Sequence, residues 1–102
     1  MPHLKPIHPG EILREEFLGP LNLNPHRLAI ALRVPAPAVY EIVNEERAIS
    51  PEMALRLARY FKTTPEFWLN LQSRFDLQVA LDKTQEKVER EVQPLEIASA
   101  RE

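Results

Sequence analysis

The sequence predicts an all-α fold of five helices. Three observations predict it. The 102 residues hold only two glycines against ten prolines, and no run alternates β-branched with polar residues as a half-buried strand would. Three prolines follow a capping residue directly, in Asn24-Pro25, Ser50-Pro51 and Thr64-Pro65. Between these marks the apolar residues recur at helical spacing.

Each helix can be justified in turn. The first, Gly10–Leu18, opens at His8-Pro9-Gly10-Glu11, turns Ile12, Leu13 and Phe17 to one face, and stops at Gly19-Pro20. The Asn, Ser and Thr oxygens before the next prolines can accept an orphan backbone N–H, and Pro is preset for the first helical position. They open helices at Pro25–Leu32, Pro51–Phe61 and from Pro65 onward, and Glu52 and Glu66 add favourable charge to two first turns. The expected inward residues are Leu28, Ala29 and Leu32 in the second helix, and Met53, Ala54, Leu57, Ala58 and Phe61 in the fourth. Ala36–Asn44 forms the third, with Val39, Ile42 and Val43 inward. The fifth is apolar through Leu81, with Phe67, Trp68, Leu71, Phe75 and Leu77 or Gln78 inward. From Asp82 to Val92 the pattern thins to Val88 and Val92 among charges, and Pro94 ends it. Residues 1–81 therefore read as one domain, and 82–102 as a helical extension with a mobile tail.

Composition excludes several classes of function. With no cysteine there is no disulfide scaffold, thiolate zinc site or Cys nucleophile. The longest clean apolar run, Leu28 to Leu32, is far short of the roughly 20 residues that span a bilayer. Met1-Pro2-His3-Leu4-Lys5 leads into no signal-peptide stretch, so a cytoplasmic setting without a membrane partner is expected. Residues 1–62 hold eight basic and seven acidic side chains, and residues 63–102 hold five and eight. Neither half is a basic block that announces nucleic-acid binding.

Enzyme chemistry finds no foothold. His3 and His8 are five apart in a Pro-rich leader, not at helical ligand spacing, so no metal site is expected. His8 is better placed to cap or pack against the first helix. Adjacent Glu15 and Glu16 point to different faces and make no acid/base pair. There is no glycine-rich phosphate loop and no assignable Ser-His-Asp set, so neither catalysis nor a cofactor is expected.

The second and third helices are joined by only Arg33-Val34-Pro35. Helices on so short a turn cross steeply, which demands a small residue at the crossing, and Ala29 supplies it. Val34, Val39 and Ile42 would plug the angle. This is the helix-turn-helix arrangement, whose second helix can enter a major groove.

The residues around that elbow carry a wider likeness. The chain resembles the HigA family of antitoxins through Pro6-Ile7-His8-Pro9-Gly10-Glu11-Ile12-Leu13-Arg14-Glu15-Glu16-Phe17, Leu28-Ala29, Glu41-Ile42-Val43-Asn44 and Arg47-Ala48-Ile49-Ser50. The likeness continues through Ala54 to Phe61 and through Thr64-Pro65-Glu66-Phe67-Trp68-Leu69-Asn70-Leu71-Gln72. It covers residues 6–80, and its two ends are more specific than the helix-turn-helix spacing. The resemblance implies a lambda-repressor-like domain with an extended C-terminal helix. It implies a cytoplasmic homodimer that represses its own toxin–antitoxin promoter at a palindromic double-stranded operator. It also implies a HigB-like RNA-cleaving toxin as protein partner.

Three positions depart from the family pattern. Arg33 stands where such turns usually have Gly, because the backbone there tends to be left-handed. Pro35-Ala36-Pro37-Ala38 replaces the usual polar start of the reading helix, and Glu45-Glu46 replaces a Gly and a basic residue after Asn44. Two carboxylates beside a phosphate backbone would oppose binding, which keeps open an alternative: a protein-binding antitoxin or adaptor without sequence-specific DNA recognition.

Candidate base readers are Tyr40, Glu41 and Asn44 on the outer face of the third helix, with the Ala36 and Ala38 methyls available for thymine methyls. Asn can pair bidentately with adenine and Glu can accept from the cytosine amino group. Arg27, Arg33 and Arg47 suit phosphate contacts, and Asn24 opens a helix N-terminus that can hold another phosphate. The Leu81-Val88-Val92 stripe is too thin to form a core and could pair with its copy.

Overall fold

Residues 5–96 are described in a computed structural model, and among them every regular element is helical. α1 (Pro9–Ile12) runs directly into a π-helical segment (Leu13–Leu18), followed by α2 (Pro25–Leu32), α3 (Ala36–Val43), α4 (Pro51–Phe61) and α5 (Pro65–Glu91). His3 lies outside the described residues, as does the end of the tail from residue 97.

The three Pro-marked helix starts form as their capping residues require. Asn24 Oδ1 accepts the Arg27 N–H at 2.8 Å, Ser50 Oγ accepts that of Met53 at 3.1 Å, and Thr64 Oγ1 accepts that of Phe67 at 3.1 Å. The first helix departs from expectation. Its second half is π-helical, and Gly19 N–H donates to the Arg14 carbonyl five residues back. A π turn is wider than an α turn. It brings Leu13 and Leu18, five apart, into the core together, whereas an α-helix would rotate one of them away.

The core gathers Leu13, Leu28, Val39, Ile42, Leu57 and Trp68, each almost wholly buried. Trp68 donates its indole N–H to Thr63 Oγ1 at 2.8 Å, so its polar atom is satisfied inside. Buried Gln72 accepts the Ile49 N–H at 2.7 Å and donates to Asp76 at 2.9 Å, pinning the loop between α3 and α4 to α5. Two expectations on α5 need correction. Phe67 is at the rim, tilted on Phe17 and set edge-on against Trp68, and it is Gln78 rather than Leu77 that is half-buried. Leu77 is 61% exposed.

α2, α3 and α4 each end in a residue with left-handed backbone, and none is glycine. Arg33 (φ 61°), Glu45 (φ 64°) and Lys62 (φ 61°) take these places. At the first, Val34 N–H donates to Ala29 O at 3.1 Å, as a Schellman turn requires. Glu46 to Glu41 and Thr63 to Ala58 repeat that bond.

His8 behaves as its sequence position suggested. Its Nδ1 accepts the Gly10 N–H at 2.9 Å, and its ring meets the Phe75 ring edge-on at 4.8 Å. Only 4% of the residue is exposed, and this burial lowers its pKa from the ordinary 6.5, against the opposing pull of the Glu45 and Asp76 charges. A histidine whose folded pKa lies below its unfolded value favours folding while neutral. That contribution is complete above the unfolded value, and is lost as pH falls from about 6.5 through the lowered folded value. Urea unfolding at pH 7.5 and 5.5 should therefore show the native chain losing stability at the lower pH. His8→Asn keeps a capping oxygen without a titrating ring and should lose measurably less over the same interval.

Candidate nucleic-acid interface

α2 and α3 form the elbow that the short turn dictates. Ala29, 2% exposed, lies at the crossing, with Val39 and Ile42 buried and Val34 half-buried around it. Their packing fixes which side of α3 faces outward. Tyr40 (43% exposed) and Asn44 leave the body one turn apart, and Glu41 beside them is half-buried. Asn44 is the C-cap of α3 rather than its last residue, so its side chain sits where helix gives way to loop.

The remaining candidates fall into separate groups. Arg47 donates to Glu41 Oε1 at 2.7 Å, which joins a phosphate candidate to a base-reading candidate. Both side chains are substantially exposed, so the pair is worth little and is easily exchanged for another partner. Asn24 and Arg27 share the first turn of α2; Asn24 Oδ1 is occupied by its cap, and Arg27 is exposed without an ion pair among the described residues. Ala36 and Ala38 are half-buried and pack partly against the core, which leaves only part of each methyl for a ligand. Arg33 is exposed and lines a shallow groove of about 630 Å³ between α2 and α4, shared with Leu55, Arg59 and Tyr60. The structure thus unites Tyr40, Glu41, Asn44 and Arg47 and holds Arg33 apart with the α2–α4 groove.

One residue that organises this surface received no role from the sequence. Arg14, in the π segment, donates to the Val43 carbonyl at 2.6 Å and to Glu45 at 3.2 Å, and also binds Glu15 at 3.1 Å. Its guanidinium satisfies the end of α3 from behind, and the carboxylates of Glu15 and then Glu45 raise its pKa further. Glu45 is accordingly half-buried and drawn inward, and of the two carboxylates after Asn44 only Glu46 stays on the surface. The signal was the position of Arg14 inside the conserved-looking opening stretch, but its partners lie 29 and 31 residues away.

Arg33 lends itself to a stability test. A residue with a Cβ pays on the order of 1 kcal/mol for left-handed backbone. Arg33→Gly should raise the free energy of unfolding by about 0.5–1 kcal/mol, read from denaturant midpoints.

Comparison with known proteins places the geometry in context. A helix-turn-helix family profile matches residues 13–68. Virulence-associated protein I of Dichelobacter nodosus is 53% identical over 74 residues, covering 72% of this chain and 68% of that protein. Antitoxin HigA-1 of Vibrio cholerae is 36% identical over 83 residues, covering 81% and 78%. The structure of Pseudomonas aeruginosa antitoxin HigA with the higBA promoter superposes with a TM-score of 0.87 at 52% identity, covering 89% of this chain and 99% of that one.

Proposed function

The chain belongs to the helix-turn-helix family and to its HigA-type antitoxins, which are regulators rather than enzymes, and from that membership we propose a DNA-binding autorepressor. In this reading it acts in the cytoplasm as a dimer on a palindromic operator in its own promoter, and it neutralises a HigB-like RNA-cleaving toxin. The observation that carries the DNA reading is the outward face of α3, which offers Tyr40 and Asn44 from a rigid elbow. The promoter in the Pseudomonas aeruginosa HigA structure supports it.

Roles follow from side-chain chemistry. Asn44 presents an amide that can pair with adenine N6 and N7, and Glu41 can accept from a cytosine amino group once Arg47 turns to a phosphate. Tyr40 adds a hydroxyl and an apolar ring between them, and the part-exposed Ala36 and Ala38 methyls can meet thymine methyls. Arg27, Arg33 and Arg47 supply positioning charge, and the N-terminus of α2 at Asn24 offers backbone N–H groups to a phosphate. One short helix reads too few bases for specificity. Two half-sites about 34 Å apart, on one dimer, multiply its discrimination.

Anisotropy titrations against the upstream DNA and a random duplex, at several salt concentrations, test this. Binding should weaken with salt at a log–log slope of several units. Arg27→Ala should weaken both duplexes alike and reduce the slope by about 1, while Asn44→Ala should erode mainly the preference, by about 1–3 kcal/mol. Equal affinity for both duplexes at low salt would leave the protein-binding alternative. The toxin half is tested separately at the locus. A small basic protein of similar length should be encoded beside this chain and co-purify with it.

A further inference from the structure

The last turns of α5 touch nothing in their own protomer. Trp68 and Gln72 are buried and Phe75 and Val79 half-buried, and these four bind the helix to the body along one face. From Ala80 to Glu91 every residue is exposed, about 18 Å of helix standing free at 1.5 Å per residue. This overhang is why the molecule measures 58 Å along one axis and 30 by 23 Å across the others.

A second stripe runs along the face of α5 turned away from the body. Leu77, Leu81, Val88 and Val92 are 61, 41, 46 and 62% exposed. Their spacing is four, seven and four residues, so it reads identically in both directions, with its midpoint between Thr84 and Gln85. We propose that this stripe binds a second copy of the chain with the two α5 helices antiparallel, Leu77 against the other copy's Val92 and Leu81 against its Val88.

Polar groups at the midpoint are already satisfied within the helix. Thr84 Oγ1 donates to the Ala80 carbonyl at 2.8 Å, and Gln85 Nε2 donates to Glu89 at 2.8 Å, so a dyad there strands no hydrogen-bonding group. Charge selects the direction. Arg74 lies one turn before Leu77, exposed and without an ion pair among the described residues. Antiparallel pairing sets it against the other copy's acidic end, where Glu91 and Glu96 are also exposed. Parallel pairing would set Arg74 against Arg74 and Glu91 against Glu91. The partner is thus a helix bearing this same stripe, and the arrangement places the two helix-turn-helix bodies at opposite ends of one rod.

This rests on the dimer reading, and the experiment separates the two. The chain has no cysteine, so single substitutions report contacts without background. Leu81→Cys mixed with Val88→Cys, one of them mass-tagged, should form the mixed disulfide under mild oxidation several-fold faster than either forms a link with itself. Leu77→Cys with Val92→Cys should behave likewise. Self-links that outpace the mixed link would overturn the register in favour of parallel pairing. Sedimentation of the unsubstituted chain supplies the second readout. A dimer that yields no mixed link overturns the proposed register alone, and a monomer, both free and on operator DNA, overturns the register and the dimer together. All four positions are exposed and lie away from the core, so the variants should keep the native helical signal and unfolding midpoint, which circular dichroism checks.

Discussion

The fold depends on the close approach of Gly10 to the end of α3. A methyl on Gly10 would collide with the Ile42 carbonyl oxygen, so the backbone of α1 presses directly on the turn that ends the outward-facing helix. Only glycine permits that contact, and the rest of the opening is arranged around it. Pro9 beside it is buried, and His8 caps the Gly10 N–H while resting on Phe75 of α5. Arg14 then reaches from the π segment to the Val43 carbonyl. The same few residues therefore tie α1, α3 and α5 into one unit, and the angle at which α3 leaves the body is set from behind. The His8-Pro9-Gly10-Glu11 stretch is structural in this sense, a foundation for the surface rather than part of it.

Helix starts were legible because their chemistry is local: a capping oxygen, a proline and a periodic apolar face lie within a few residues. The elbow was legible for the same reason, since a three-residue turn and a small Ala29 leave little choice of crossing. The π segment was not. Its cause is the need to bury Leu13 and Leu18 together, and that need appears only once α4 and α5 are packed in place. The roles of Arg14 and Gln72 were hidden by distance, because a guanidinium or an amide shows its donors in the sequence but not the carbonyl it will find. The outward Leu77 was ambiguous because two faces of α5 are apolar at that level, and only the body decides which one is covered.

Charge around the elbow is handled by redistribution. The chain carries a net charge of −2, and three of its acidic groups lie on or just after α3. Glu45 is held by Arg14 and Glu41 by Arg47, which leaves Glu46 as the unmatched carboxylate near the outward face. A duplex arriving at this surface meets an electrostatic barrier smaller than the sequence implies. It also meets Arg47 in an exposed pair that costs little to open, so approach of a phosphate could transfer the arginine and release Glu41 toward a base in a single rearrangement.

The overhanging half of α5 completes the argument about specificity. A helix of this length without tertiary support is only marginally stable in water, and pairs such as Gln78 with Asp82 add a few tenths of a kcal/mol each. Four exposed aliphatic side chains per copy make a small interface by the standards of stable dimers, so the association they support is weak by itself. Weakness is useful in an autorepressor. When the contact between copies is modest, operator half-sites supply part of the free energy of assembly, and occupancy rises with the square of concentration until both half-sites fill. A protein that controls its own abundance then responds steeply to that abundance, through a contact that involves neither base-reading residues nor the core.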